Sequence, residues 1–262
     1  MVRLALVIAW LTAACGRLQF DAGQRGVDGA IASPDGALPD APRAALVFQQ
    51  TTGKFRTHGT MSVTSNPFAV DPTAGNRIVV IAWTYAASGA ATDAISANDS
   101  LGNTYDVAAQ ITSGGASPFS VAVLSAPIST TGSNVTVTVA FPDAMSQIVA
   151  VAMEYRGNGV LDQIGTISGT AGSPAVSTVG ATAAANETVF AAVNINLPNE
   201  VFTSIAPGAP YVDRVEENNT AFMEQAGEGA ELDATTAGVQ TCTWTVAPDP
   251  ATEWNAVIAT YR

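Results

Sequence analysis

Histidine and cysteine are scarce in this sequence, which contains one histidine, His58, and two cysteines, Cys15 and Cys242. A histidine-dependent catalytic triad or zinc site would have to use His58. This residue lies in a polar stretch without a G-x-S-x-G nucleophile motif, and cysteine spacing typical of a zinc site is also missing. These shortages argue against the enzyme and metal-site classes that depend on the two residue types. We interpret Cys242 as a buried, unreactive thiol.

Basic residues are also few, because 10 Lys and Arg stand against 22 Asp and Glu, which gives a formal net charge of −12. Nucleic-acid binding requires basic clusters that neutralise phosphates. The one local basic group, Lys54, Arg56 and His58, is too small for that task. The composition therefore excludes nucleic acid as a partner of the folded domain, and the negative field opposes adsorption to anionic lipid.

Helical periodicity is missing after residue 15, and Thr, Ser, Val, Ala and Gly dominate, a composition that favours β-strands. Apolar and polar residues alternate in 134–141 and 241–246, which is typical of half-buried strands. The runs 78–83 and 148–153 are apolar on both faces. We expect these two runs to be central strands whose second face is covered by small residues or loops.

Clusters of Gly, Pro, Asn and Asp separate about a dozen such segments between residues 45 and 262. Two of the strands are predicted at 211–217 and 220–226, followed by a polar loop over 227–238. This spacing predicts an all-β fold, a single large antiparallel β-sandwich of jelly-roll type.

The N-terminus contains Arg3, an apolar run over 4–11 and then Thr12-Ala13-Ala14-Cys15. The run is too short to span a bilayer and predicts an export signal over residues 1–14. A cysteine at this junction resembles the lipobox of bacterial lipoproteins. The resemblance implies a lipid on Cys15 and, with Gly16 after it, a location at the outer membrane or cell surface. The alternative is ordinary cleavage near Ala14, which would give a soluble secreted protein.

Residues 15–44 are rich in Gly, Ala, Pro and Asp and contain little apolar bulk. Such a segment buries too little surface to offset its chain entropy, so we expect a disordered tether. Similar runs follow the lipid-bearing cysteine in bacterial surface lipoproteins. The predicted organisation is therefore signal (1–14), anchor and tether (15–44) and β-sandwich domain (45–262).

The order of four motifs within 45–262 resembles an uncharacterised β-sandwich domain of bacterial secreted and surface proteins. These motifs are Asn76-Arg77-Ile78-Val79-Val80, the 99–105 segment DSLGNTY, Glu154-Tyr155-Arg156-Gly157 and a closing strand over 254–261. The resemblance implies a fold and a location, and it supplies no catalytic residues.

The most motif-like loop begins at Asp99 and contains Gly102 and Asn103. Asp and Asn cap turns and Gly adopts positive φ, so a hairpin connection explains the loop. The functional alternative is a calcium site with oxygen ligands from Asp99 and Asn103. Calcium is the one cofactor that the sequence suggests.

Glu154 ends an apolar strand, and a buried carboxylate there would suit a general acid. A glycosidase needs a second carboxylate opposite, for which Asp162, Glu224 and Asp99 are candidates. The alternative is that Glu154 pairs with a nearby arginine or with backbone amides. The seven carboxylates between 213 and 233 suggest an acidic loop for calcium or a cationic partner, or a solvated edge.

Three tyrosines at predicted strand ends, Tyr85, Tyr105 and Tyr211, are candidates for a platform on which sugar rings stack. Our leading interpretation is a lipid-anchored surface protein that acts as a non-catalytic binding or structural module for carbohydrate or another surface polymer. The alternatives are an extracellular polysaccharide hydrolase or lyase that uses Glu154, and a purely structural envelope or adhesion protein. Sandwich folds host all three classes.

Overall fold

The described part of the chain consists of β-strands and loops and includes no helix. The computed structural model describes residues 46–86, 92, 94–114, 118–170, 172–196, 204–218, 225–247 and 253–262. Over these ranges we find no helix long and apolar enough to cross a membrane. The predicted signal, Cys15 and tether lie outside the described residues. The segment Asp40–Arg262 forms one compact unit, and its strand pairs are antiparallel, which confirms the predicted all-β sandwich.

The strands fall into two sets of eight in chain order. The first half contains β1 (Val47–Thr57), β2 (Thr60–Thr64), β3 (Arg77–Tyr85), β4 (Ser96–Asp99), β5 (Asp106–Ser113), β6 (Phe119–Pro127), β7 (Val137–Met145) and β8 (Gln147–Arg156). The second half contains β9 (Leu161–Gly169), β10 (Ala175–Ser177), β11 (Glu187–Asn196), β12 (Ser204–Pro207), β13 (Val212–Asn218), β14 (Gln225–Ala234), β15 (Thr241–Ala247) and β16 (Trp254–Tyr261).

The two halves have the same topology. The first half pairs its strands as β1-β8-β3-β6-β5 and β2-β7-β4, and the second half as β9-β16-β11-β14-β13 and β10-β15-β12. Adding eight to each strand number of the first half gives the second half. Eight antiparallel strands in two sheets with this crossing order form a jelly roll. The predicted sandwich is therefore built from two tandem jelly-roll units.

Three hydrophobic cores separate four sheet layers. Each half has an outer core between its five-stranded and its three-stranded sheet, and a central core lies between the two five-stranded sheets. Alternate residues of β3 show the arrangement, because Ile78 and Val80 face the outer core while Val79 and Ile81 face the central core. The expectation that small residues or loops cover the second face of the apolar runs is wrong. The five-stranded sheet of the other half covers it.

Glycines on β14 allow the two central sheets to approach closely. A Cβ atom at Gly227 would lie 2.5 Å from the Trp83 ring, and one at Gly229 would lie 2.8 Å from Ile81. Both partners belong to β3 of the other half. The central core is therefore packed so closely that the large side chains of β3 fit only because the facing positions of β14 have no side chain.

Equivalent strands also pair in the same register. Tyr155 of β8 is paired with Arg77, at the start of β3, and Tyr261 of β16 is paired with Thr188, near the start of β11. Tyr155 and Tyr261 are thus equivalent positions of the two halves. Both strands are followed or ended by an arginine, Arg156 in β8 and Arg262 directly after β16.

The two equivalent tyrosines make reciprocal hydrogen bonds across the central core. Val79 lies two residues beyond Arg77 on β3 and is paired with Ser125 of β6. Phe190 lies two residues beyond Thr188 on β11 and is paired with Glu231 of β14, so Ser125 and Glu231 are also equivalent positions. Tyr155 donates to Glu231 of the second half, and Tyr261 donates to Ser125 Oγ of the first half at 2.9 Å. Each half thus contributes the tyrosine to one contact and the acceptor to the equivalent contact. Reciprocal contacts of this kind define an isologous interface, as in a twofold-symmetric dimer.

Candidate functional site

Asp99 is a hydrogen-bond acceptor for its own turn. Its Oδ1 accepts the backbone N–H of Leu101 at 3.0 Å and of Asn103 at 3.1 Å, and its Oδ2 accepts the Asn103 amide at 2.8 Å and the Tyr105 hydroxyl at 3.0 Å. Asn103 Oδ1 in turn accepts the backbone N–H and the hydroxyl of Ser129. The oxygens proposed as calcium ligands are thus engaged within the protein, which favours a structural role for this loop. The predicted hairpin is wrong, because the loop joins β4 of the three-stranded sheet to β5 of the five-stranded sheet.

Glu154 is buried, with 2 % of its surface exposed, and both of its oxygens have partners. Oε1 accepts the Asn76 amide at 2.6 Å and the Thr73 backbone N–H at 2.9 Å, and Oε2 accepts the Gln50 amide at 2.5 Å. Gln50 also bonds the backbone N–H and carbonyl of Val70. The carboxylate therefore joins the end of β8 to β1 and to the chain before β3. These contacts favour a structural role for Glu154 and do not place it in a cleft.

The three candidate tyrosines lie in different places. Tyr105 packs against the outer core of the first half, and Tyr211 is 9 % exposed in the outer core of the second half. Each directly precedes its strand, β5 or β13, so the two are equivalent positions. Burial raises the pKa of both phenols, with the Asp99 carboxylate adding to the effect at Tyr105. Tyr85 ends β3 and is half-buried. The three rings do not form one platform.

The acidic stretch contains a strand where the sequence predicted a loop. Residues 225–234 form β14, which pairs with β11 and β13. The polar-loop prediction for 227–238 is wrong over residues 227–234. Gly227 and Gly229 fit against the opposing five-stranded sheet, and Ala226 and Ala230 lie in the outer core of the second half, so both faces of the strand are buried. Glu231 accepts a hydrogen bond from Arg214 Nε at 2.8 Å.

Glu228 is a buried carboxyl group that sequence reasoning missed. None of its surface is exposed, and neither carboxyl oxygen has a hydrogen-bond partner. Burial, together with the negative charges of the nearby Asp213 and Glu216, raises the pKa of Glu228 to about 9. The group is therefore held as a neutral acid at pH 7. Its position between Gly227 and Gly229 concealed it, since the surrounding sequence reads as a polar loop.

A polar cleft lies between the ends of β5 and β9, the two edge strands that bring the halves together on this side. Its volume is about 320 Å³. The lining residues are hydroxyl-bearing side chains, glycines and one carboxylate: Thr112, Ser113, Gly114, Ser168, Gly169, Thr170 and Glu253. Ser113 donates to Asn255 Oδ1 at 2.8 Å and Thr112 donates to the Thr92 carbonyl oxygen at 3.3 Å, which fixes two hydroxyls of the lining. No sequence motif marks this cleft, because its residues come from strands that are distant along the chain.

No protein-family model, curated protein or solved structure matches this chain. Among the described residues, there is also no group of three or more His, Cys, Asp or Glu side chains that could hold a metal ion. The resemblance to bacterial lipoproteins and to a surface β-sandwich domain stays a prediction. The functional argument consequently depends on the chain's own clefts and contacts.

Proposed function

We propose that this chain is an exported, lipid-anchored cell-surface protein that acts as a non-catalytic binding module for carbohydrate or another hydroxylated surface polymer. The hydroxyl-lined cleft between β5 and β9 carries the proposal. Hydroxyl groups donate and accept hydrogen bonds, so Thr112, Ser168 and Thr170 complement the hydroxyls of a sugar.

The composition of the cleft favours binding over hydrolysis. Among the residues that the structure describes, the lining contains one carboxylate, Glu253, whereas glycoside hydrolysis uses two carboxyl groups about 5–10 Å apart. The two carboxylates that the sequence suggested as catalytic, Glu154 and Asp99, accept hydrogen bonds from neighbouring groups with all of their oxygens. These oxygens are engaged by the protein itself and are not presented to a substrate.

Replacing Thr112 with valine and Ser168 with alanine should weaken polymer binding at least tenfold. Two lost hydrogen bonds of about 1 kcal/mol each sum to about 2 kcal/mol, which corresponds to roughly thirtyfold in affinity. A glycan array on the purified protein selects the ligand, and titration calorimetry then measures the affinity of both forms. Ser62→Ala, an exposed hydroxyl on β2, is the matched control. Equal binding by all three forms, or no binding to any glycan, would contradict the proposed function.

The proposed anchor has a separate test. Because the lipid would be attached through the thiol of Cys15, Cys15→Ser should move the protein from the membrane fraction to the soluble fraction of the producing bacterium. Fractionation and labelling with radioactive palmitate measure this change, with Cys242→Ser as the control. If the unchanged chain takes up no palmitate, the lipid anchor is wrong and the soluble secreted alternative replaces it.

A further inference from the structure

A second pocket lies at the opposite end of the seam between β5 and β9. Its volume is about 220 Å³, and it is lined by residues from both halves: Arg77, Asp106, Ala108, Ser125, Val160, Leu161 and Tyr261. The pocket is smaller than the roughly 300–1,000 Å³ of sites for drug-sized ligands, so it suits a small chemical group. About six residues of β5 separate it from the hydroxyl-lined cleft, a distance of about 20 Å along an extended strand.

Arg77 is a half-buried cation of this pocket that has no carboxylate partner in the described structure. Its Nη1 donates to Ser125 Oγ at 2.7 Å, its Nη2 donates to Asn158 Oδ1 at 3.2 Å, and the guanidinium lies 5.4 Å from the centre of the Tyr261 ring. The Nε–H is buried and has no acceptor. Burial lowers the pKa of Arg77. The Asp106 carboxylate, which also lines the pocket, opposes this lowering of the pKa but forms no ion pair with Arg77 in the described structure. A half-buried cation without a paired counter-ion is costly, so a pocket of this kind favours an anion.

The twofold-like relation between the halves identifies the counterpart of this pocket. Tyr261 is paired with Leu161 at the start of β9, and the equivalent Tyr155 is paired with Phe48 at the start of β1. The counterpart is thus the place where β1 and β13 meet. It contains a phenylalanine ring where the pocket has the smaller Leu161.

Two further positions of the counterpart contain large charged side chains. Both β5 and β13 have a bulge at the same register, and the bulged residue is Ala108 in β5 and Arg214 in β13. Ser125 of the pocket is equivalent to Glu231. At the counterpart, Arg214 Nε lies 2.8 Å from Glu231 Oε2, and its guanidinium lies 4.3 Å from the centre of the Phe48 ring.

The comparison shows what the pocket lacks. In the counterpart, the chain supplies both an arginine and the carboxylate that binds it, and these side chains occupy the space. In the pocket, Ala108 and Ser125 are too small to fill it, and an arginine from another position, Arg77, is present. The Asp106 carboxylate also lines the pocket but makes no ion pair with Arg77 in the described structure. What the pocket lacks is a carboxylate that pairs with its arginine, as Glu231 does in the counterpart.

We propose that the pocket between β5 and β9 binds the carboxylate of an acidic sugar, so that the polymer ligand is one that contains uronic acid residues. This inference rests on the proposed function, since it names the chemical class of the same ligand. Arg77 donates its Nε–H to the carboxylate, and the Ser125 and Tyr261 hydroxyls complete the polar wall. The hydroxyl-lined cleft then contacts neutral parts of the same polymer about 20 Å away along the seam.

The pocket favours a carboxylate over a phosphate. In the counterpart, a guanidinium already pairs with a carboxylate, because Arg214 Nε donates to Glu231 Oε2 at 2.8 Å. Asp106 also lines the pocket, and its negative charge opposes a dianion more strongly than a monoanion.

Titration calorimetry of the full chain with glucuronate, glucose and inorganic phosphate tests the proposal. We expect glucuronate to bind at least tenfold more tightly than glucose and phosphate, and Arg77→Gln to remove at least nine-tenths of that affinity. Equal binding of glucuronate and phosphate, or an unchanged affinity in Arg77→Gln, would overturn the carboxylate assignment.

A second variant fills the pocket without removing Arg77. Ala108→Arg combined with Ser125→Glu copies the residues of the counterpart, so the fold should be retained and glucuronate binding lost. Circular dichroism checks the fold of each variant. If this filled variant binds glucuronate as the original does, the site lies elsewhere and the inference is wrong.

The two proposals fail in different ways. Binding of a neutral polymer that depends on Thr112 and Ser168 but not on Arg77 contradicts only the carboxylate pocket. Binding of glucuronate that depends on Arg77, without any effect of the cleft variant on polymer binding, contradicts only the cleft.

Discussion

Replacing Glu228 with glutamine should stabilise the protein at pH 8 and leave its stability nearly unchanged at pH 4. The folded chain keeps Glu228 protonated up to a pKa of about 9, whereas the same group has an ordinary pKa of 4.5 when exposed. Between these two values, the unfolded chain loses a proton that the folded chain retains. The free energy of unfolding therefore falls by roughly 1.4 kcal/mol for each pH unit over this window. Glutamine has nearly the same shape and does not titrate, so it removes this loss.

Urea unfolding of both forms at a series of pH values measures the effect. The titratable groups around Glu228 are Asp213 and Glu216 on β13 and Cys242 on β15, and they stay unchanged in the variant. Glu253→Gln, which alters a carboxylate at the surface, serves as the control and should give the pH profile of the original chain. If Glu228→Gln gives parallel pH profiles as well, Glu228 is ionised in the folded protein and the argument from its burial is wrong.

Replacing Glu231 with alanine should destabilise the protein by about 3–5 kcal/mol, which is the usual cost of removing one partner of a buried ion pair. Glu231 accepts hydrogen bonds from Arg214 and from Tyr155 of the other half, and only 5 % of its surface is exposed. Its loss leaves the Arg214 guanidinium without its carboxylate and the Tyr155 hydroxyl without its acceptor. Denaturant unfolding measures the change.

The equivalent residue of the first half provides a matched control. Ser125 receives the reciprocal hydrogen bond from Tyr261, and Ser125→Ala should cost only about 1–2 kcal/mol, because Ser125 is neutral and Arg77 retains its bond to Asn158. Adding Arg214→Ala to Glu231→Ala should recover part of the loss, since the unpaired cation is then removed. Equal costs for the two single variants would contradict the assigned ion pair.

Local sequence patterns predicted the strands but not their arrangement in two halves. The alternation in 134–141 and 241–246 correctly predicted β7 and β15, whose apolar residues face the two outer cores. The relation between the two halves left only a weak signal in the sequence, in that the same number of residues separates Tyr105 from Tyr211 and Tyr155 from Tyr261. Otherwise, pairing registers rather than residue identities relate the two halves.

The candidate site was less predictable than the fold. Asp99 and Glu154 were predicted as candidate site residues because isolated polar residues next to apolar strands suggest function. In the structure both side chains hold neighbouring loops in place. The cleft and the pocket could not be predicted from the sequence, because serine, threonine and alanine are common throughout it and do not mark a site. The glycines of β14 led to the prediction of a loop. In the structure they make room for Trp83 and Ile81, which lie far away in sequence, so the local pattern could not show why glycine is present.

Covalent linkage of two like units gives this protein a freedom that a dimer of identical subunits lacks. In such a dimer, one gene encodes both copies of the interface, and any substitution is therefore expressed twice. Here Ser125 and Glu231 occupy related positions but have separate codons, so selection can act on one without altering the other. One copy is free to reinforce the fold while its twin diverges toward a different task.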